Sequence, residues 1–191
     1  MDDLFERTKN VISRDRIPSL SKVEYESEAG CFIESMVSCF QSIYPKRIIP
    51  RGFEEKIISR YKGKLGISRR DLVKETIVLS DLLDMEIEAI EITRHLPNTV
   101  EETREALEVP QEIPIKKTEL NEISIKQPGH AGIVIMEGKE QKGHVVPIIA
   151  EKSLGLGGVD GINGSQGEAD DYLREGYLTI LILYLRAKEI K

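Results

Sequence analysis

A chain of 191 residues with 40% apolar and 31% charged residues can build a hydrophobic core, which excludes a globally disordered protein. The formal net charge of −6 at pH 7 excludes a general nucleic-acid binder, because such a protein needs a basic surface. The start, MDDLFERTKN, is charged, and the longest apolar stretch (residues 177–185) is much shorter than the about 20 residues of a membrane span. We therefore expect a cytoplasmic protein without a membrane segment.

The composition is biased toward two residue types. The chain has 24 Glu and 25 Ile but only 4 Asn and 5 Gln. This bias resembles the composition of proteins from thermophiles, in which networks of charged residues replace the thermolabile residues Asn and Gln. It indicates a habitat and carries no information about activity.

The predicted elements of the first 84 residues are helices. Residues 2–14 form a short amphipathic helix within an N-terminal extension over residues 1–20. A second helix is predicted from around Gly30 to Tyr44, and its broad apolar set indicates burial on most sides. Helices over residues 53–61 and 68–83 follow, and Ser68 is the predicted N-cap of the last one.

The spacing of apolar residues then changes from that of a helix to that of a strand. Residues 85–92 (MEIEAIEI) nearly alternate between apolar and polar, which predicts a strand. Thr99 and Glu102 have the spacing of a capping box, which predicts a short helix to about Leu107. Pro110 and Pro114 mark a linker.

The signals after residue 123 are those of strands. Residues 133–136 and 144–149 predict a hairpin, and Pro147 places the second strand at a sheet edge or a bulge. Residues 154–167 contain six glycines and predict a loop. Residues 177–185 are almost continuously apolar, which predicts a central final strand.

These elements predict an α+β fold in which a helical N-terminal half packs on an antiparallel sheet from the C-terminal half. We expect one domain over residues 1–191, with a mainly helical part at 21–110 and a mainly β part at 111–191.

The two cysteines have different predicted roles. Cys31 and Cys39 are eight residues apart in one predicted helix, about 12 Å along its axis, which is too far for a disulfide bond between them. Cys39 is predicted to lie in the core. Cys31 follows Gly30 at the helix start, where the helix dipole stabilises a thiolate and Gly30 leaves room for a substrate.

A nucleophilic cysteine needs a base within hydrogen-bond reach. His144 opens a predicted strand, directly after Gly143, and is the preferred candidate; His130 is the alternative. Asp160 or Asn163, in the glycine-rich stretch, is the predicted acceptor that fixes the imidazole tautomer. The alternative interpretation is that Cys31 and His144 are ordinary packed residues.

This order of residues resembles the papain-like cysteine peptidases, and within them the branch that processes double-glycine leader peptides. The resemblance extends from about residue 23 to 185. It rests on residues 28–36 (EAGCFIESM) at a helix start, the turn at 128–129, the apolar strand at 132–136, and Gly-His-Val-Val at 143–146. It implies a papain-like fold and a Cys-His site that hydrolyses a peptide or amide bond.

The chain departs from the family pattern before the cysteine. Family members carry a Gln there that completes the oxyanion hole, and residues 1–30 contain no Gln. Tyr25 or Ser27 can donate a hydrogen bond instead, and we expect Tyr25, Gly30 and Gly143 to contact the substrate. The departure favours the alternative of a non-catalytic papain-like module that binds a peptide or protein. A viral or accessory structural protein on another α+β fold is a further alternative.

No cofactor and no metal ion is predicted, because three His and two Cys do not supply an evident zinc site. The expected partner is a peptide or protein substrate. The sequence does not indicate an oligomeric state.

Overall fold

The computed structural model describes residues 29–53, 55, 59–60, 67–118, 122–125, 127–137, 143–149, 153–155 and 176–189. The predicted helix at 2–14, the extension at 1–20 and most of the predicted glycine-rich loop lie outside these residues. The helices with defined bounds are α1 (Ala29–Ile43), α2 (Arg69–Leu82) and α3 (Val100–Leu107). The strands are β1 (Met85–Ile92), β2 (Ile115–Lys117), β3 (Glu122–Ser124), β4 (His130–Glu137), β5 (Gly143–Ile149), β6 (Ser153–Gly155) and β7 (Leu178–Ala187).

Helix α1 forms where the sequence predicts it, and its apolar residues place it in the core. Phe32, Met36, Cys39 and Phe40 are fully buried. The helix ends at Ile43, two residues before Pro45, because proline cannot donate the next backbone hydrogen bond. Burial on most sides, predicted from the broad apolar set, is confirmed.

The other two helices begin at the predicted capping residues. Ser68 Oγ accepts a 3.1 Å hydrogen bond from the Asp71 backbone N–H at the start of α2. At α3, the Glu102 N–H donates to Thr99 Oγ1, and the Thr99 N–H donates to the Glu102 carboxylate over 2.7 Å, so the predicted capping box is present. None of the helices in the described ranges is long and apolar enough to cross a membrane.

In the part of the chain that the structure describes, the main sheet has five strands in the order β2-β1-β7-β4-β5. β7 is central, as predicted, and pairs antiparallel with both β1 and β4. β4 and β5 form the predicted hairpin. β5 is an edge strand, which confirms the interpretation of Pro147, because proline has no N–H to give to a second neighbour.

The α+β class is confirmed, but the prediction of an antiparallel sheet is wrong. β1 and β2 are parallel, so the sheet is mixed, and β1 comes from the part of the chain predicted to be mainly helical. β2 lies directly after the predicted linker. β6 pairs with β3 in a separate two-stranded sheet, and it includes the first two residues of the predicted loop at 154–167.

Helix α1 lies across β4 and β5, and two hydrogen bonds join it to them. Cys39 Sγ donates to the Gly132 carbonyl of β4 over 3.3 Å. Ser35 Oγ donates to the Val145 carbonyl of β5, also over 3.3 Å. Because both bonds are buried, they fix the helix against the sheet near its edge. This contact places the first turns of α1 beside the start of β5.

Candidate active site

A pocket of about 160 Å³ lies between α1 and the edge strand β5. Both candidate catalytic residues, Cys31 and His144, are in its wall. The other described residues that line it are Glu34, Ser35, Ser38, Val145, Val146 and Pro147. The structure therefore brings together, in one cavity, two residues that are 113 positions apart in the sequence.

Cys31 is the third residue of α1 and is half-buried. Its thiol is not in a disulfide bond. In the first turn of a helix the backbone N–H groups point out of the helix start, and the dipole there favours negative charge. Cys31 thus combines access from the pocket with a backbone setting that favours an anion.

His144 is the second residue of β5, opposite Met136 of β4. Its side chain is only 6% exposed. Burial in this apolar setting lowers the pKa of His144 from 6.5 to about 4, because the charged imidazolium loses its hydration. The imidazole is therefore neutral at pH 7 and can accept a proton.

Three pocket residues on α1 are not among the predicted site residues. Glu34, Ser35 and Ser38 follow Cys31 at spacings of three, four and seven residues, which is the spacing of one helix face. This spacing from Cys31 is the sequence signal by which the three residues could have been predicted as site residues. These residues are polar within an otherwise apolar helix, and a polar face beside a candidate nucleophile indicates a wall of a site.

Cys39 lies two turns after Cys31 and has a different environment. Its side chain is fully buried, and its thiol donates to the Gly132 carbonyl. Burial raises the pKa of the Cys39 thiol well above its usual range, and the backbone hydrogen bond opposes this only in part. The predicted core role of Cys39 is confirmed.

His130 lies at the opposite end of β4 from the residue that pairs with His144. It is the first residue of β4 and pairs with Arg186, whereas His144 pairs with Met136. Its ring Nε2 is 3.8 Å from the Glu88 carboxylate, across the sheet. The six residue steps from His130 to Met136 span about 20 Å along the strand, so the two histidine side chains have different neighbours.

The structure places two of the other predicted site residues. Gly30 is the second residue of α1, directly before Cys31, and Gly143 is the first residue of β5, directly before His144. Both glycines therefore neighbour the pocket residues in the chain. Tyr25, Asp160 and Asn163 lie outside the described residues.

Within the described part of the chain, no three His, Cys, Asp or Glu side chains come together as a group that could hold a metal ion. The residues that line the pocket include a cysteine, a histidine, two serines and a glutamate. These groups can attack a carbonyl carbon and transfer protons. No family model, no curated protein sequence and no solved structure matches the chain.

Proposed function

We propose that the protein is a cysteine hydrolase with a papain-like arrangement, which cleaves a peptide or amide bond. One observation carries the proposal: Cys31, in the first turn of a helix, and His144, on the neighbouring strand, line the same pocket. A nucleophile and a base that share a cavity are the minimum that this chemistry needs. The contact of α1 with β4 and β5 supports it, because this contact holds the helix that carries Cys31 against the strand that carries His144.

Each residue has a role in the proposed reaction. Cys31 Sγ attacks the substrate carbonyl carbon while the thiol proton passes to His144, and the Cys31 backbone N–H donates to the oxyanion. The tetrahedral intermediate collapses, the C–N bond breaks, and His144 returns the proton to the leaving amine. Water then hydrolyses the thioester with His144 as base, which restores the thiol. Asp160 or Asn163 orients the imidazole.

The lowered pKa of His144 determines the resting state of this pair. Because burial disfavours the imidazolium, the resting imidazole is neutral. The imidazole therefore gains its proton during the attack rather than before it. A substrate that displaces water from the pocket is compatible with this state, since the resting imidazole carries no charge that must be desolvated.

Selective alkylation of the two cysteines tests the proposal. With iodoacetamide at about pH 7, Cys31 should react and Cys39 should not, because only Cys31 is accessible from the pocket. His144→Ala should slow the reaction of Cys31 at about pH 7 by about tenfold or more, since the neutral imidazole that takes the thiol proton is lost. Intact mass and peptide mapping give the extent of reaction at each cysteine.

His130→Ala is the matched control, because it removes an imidazole at the opposite end of β4 and should leave the reaction of Cys31 unchanged. Hydrolysis of a mixed peptide library, followed by mass spectrometry, completes the test. Wild type should release products, and Cys31→Ser should not. Equal labelling of Cys31 and Cys39 in the folded protein, or an unchanged rate of Cys31 labelling in His144→Ala, would contradict the dyad.

A second function has support from the same pocket. We also consider a non-catalytic module that binds a peptide, because residues 1–30 contain no Gln and a base with a pKa of about 4 is poorly matched to neutral pH. In this case peptides protect Cys31 from alkylation but are recovered intact. Protection together with cleavage favours the hydrolase.

A further inference from the structure

The outer edge of β5 carries backbone groups that point away from the sheet. In an antiparallel ladder, the N–H and C=O groups of one residue point to the neighbouring strand, and those of the next residue point to the opposite side. Pro147 has no N–H to give to β4, and the Val145 carbonyl accepts from Ser35 Oγ of α1. Val145 and Pro147 therefore belong to the outward-pointing set, together with Gly143 and Ile149.

The pairing at the other end of the sheet confirms this assignment. The Ile90 N–H of β1 donates to the Pro114 carbonyl, which lies directly before β2, so Ile90 points away from β7. From there the direction alternates residue by residue through the registers of β1 with β7, of β7 with β4 and of β4 with β5. The alternation makes residues 144, 146 and 148 the ones that bond to β4, and it leaves 143, 145, 147 and 149 at the outer edge.

These outward groups are available for hydrogen bonds. Within the part of the chain that the structure describes, no group accepts from the N–H of Val145 or of Ile149, and none donates to the Pro147 carbonyl. Successive outward residues are about 6.8 Å apart along the strand. Donors and acceptors at this spacing match the backbone of another extended chain.

The pocket lies beside this edge, and its opposite wall is the polar face of α1. Residues 144–147 line it on the strand side, and Ser35 and Ser38 are among the residues that line it on the helix side. The polar face continues one turn further to Gln41, whose Nε2 is buried and has no hydrogen-bond partner among the described residues. A buried amide donor without a partner costs free energy, so a ligand that supplies an acceptor stabilises it.

We propose that this pocket binds its peptide as an added strand, which pairs with the outer edge of β5 and lies along the polar face of α1. The inference rests on the proposed function for the chemical class of the ligand, and it adds how the ligand is held. Cys31 lines the same pocket, so the bound backbone passes the thiol. Because backbone groups make the contacts, the pocket takes unpaired, extended segments of many sequences, whereas helices and paired strands are excluded.

The other occupant that an open edge can take is the edge of a second copy of the chain. Two β5 strands would bring the same gaps to each other, because both lack an N–H at Pro147 and both have the Val145 carbonyl bound to Ser35. A peptide without proline has an N–H and a free carbonyl at every residue. The chemistry of the edge therefore favours a peptide over a second copy.

Nuclear magnetic resonance with a synthetic peptide tests the inference. The probe is acetyl-Lys-Thr-Val-Thr-Val-Thr-Lys-amide, whose β-branched residues favour an extended backbone. The protein is Cys31→Ser, so that the peptide is not cleaved. On titration the amide protons of Val145 and Ile149 should move downfield, because each gains a hydrogen bond. The amide protons of Val146 and Ile148, which already bond to β4, should move less.

Methylated peptides show whether the peptide backbone makes the contacts. Alternate amides of an extended peptide point to opposite edges, and its threonine and valine side chains lie on opposite faces. For a given direction of the peptide, one arrangement puts the threonines against the polar face of α1, so one edge of the peptide faces β5. N-methylation of the amides on that edge should weaken binding by about tenfold or more, and methylation of the other set by about threefold or less. Equal weakening by the threonine and valine methylations overturns the inference.

A variant that supplies the missing donor should bind the peptide more tightly. Pro147→Ala adds an N–H to the outer edge, so the peptide concentration at half-saturation should decrease by about threefold to tenfold. Pro114→Ala is the matched control, because it replaces an exposed proline at the opposite edge of the sheet and should leave binding unchanged. Circular dichroism and thermal unfolding establish that both variants are folded. An affinity that does not increase in Pro147→Ala, or that increases equally in both variants, overturns the inference.

The outcomes separate this inference from the proposed function. Amide shifts that do not alternate along β5, or no shifts at millimolar peptide, overturn the added strand while the effect of His144→Ala on Cys31 still stands. Alternating shifts without any effect of His144→Ala leave a module that binds extended peptides and overturn the hydrolase. A dimer of the free protein in light scattering, with the Val145 amide already hydrogen-bonded, assigns the edge to a second copy and overturns the inference.

Discussion

His144 is buried as an imidazole on an edge strand, and this burial has a consequence for stability as well as for chemistry. A side chain that is 6% exposed has little water to hydrate a positive charge. The folded state therefore resists protonation of His144, whereas the unfolded chain does not. The difference couples folding to pH through one residue.

The sign of this coupling follows from the lowered pKa of His144. Well above pH 6.5 both states are neutral and the residue contributes no pH dependence. As the pH falls from 6.5 to about 4, the unfolded chain binds a proton at His144 and the folded protein does not. The free energy of unfolding therefore decreases. The full loss is roughly 3 kcal/mol, of which about 2 kcal/mol falls between about pH 7 and about pH 5.

Urea denaturation of wild type and His144→Gln at these two pH values measures the effect. Other carboxylates and histidines titrate in both proteins, and their contributions cancel in the comparison. Wild type should lose about 2 kcal/mol more than the variant on acidification. Parallel losses in the two proteins would show that His144 accepts a proton in the folded state.

At the scale of elements, β4 has no room for a side chain at Gly132, where β5 packs against it. A Cβ atom added there would lie 2.7 Å from Ile148 Cγ2, and because Ile148 is fully buried, it cannot shift without displacing its neighbours. The same glycine carbonyl accepts the hydrogen bond from Cys39 of α1. Gly132 therefore permits the side chain of Ile148 on β5 to pack directly against the backbone of β4.

Gly132→Ala should lower the free energy of unfolding by about 1–3 kcal/mol, because an overpacked core must displace side chains or backbone. It should also expose the Cys39 thiol to alkylation more often, since a less stable protein populates the unfolded state more. Chemical denaturation and Cys39 labelling check both effects. An unchanged stability would mean that the two strands can separate enough to accept a methyl group.

The elements with local signals could be predicted from the sequence. Helix α1, the caps at Ser68 and Thr99, and the hairpin of β4 and β5 depend on neighbouring residues, and all are present. β2 was missed, because its three residues are too few to show a period and its parallel pairing with β1 is a contact distant in sequence. Cys31 and His144 were predicted from helix and strand starts, whereas Glu34 carries no motif.

At the scale of the whole molecule, the sheet is organised around β7. This strand pairs along most of its length with β1 on one side and β4 on the other. Leu181, Ile182 and Leu183 are fully buried. β2 and β5 are the edges, and β2 has only three residues, two of which are exposed lysines. The free energy of local opening should therefore increase from the edges to the centre.

Native-state hydrogen exchange at increasing urea measures this order. The amide of Ile182 should exchange only by global unfolding, because releasing it requires the separation of β7 from its neighbours. The amide of Thr118, which follows β2 and donates to the Ile92 carbonyl over 2.8 Å, should exchange by local opening at a lower free energy. Since only β2 must detach from β1, added urea should change the exchange of Thr118 less steeply than that of Ile182. Equal free energies and equal urea slopes at the two amides would show instead that the mixed sheet opens as one cooperative unit, with the parallel edge as firmly held as the centre.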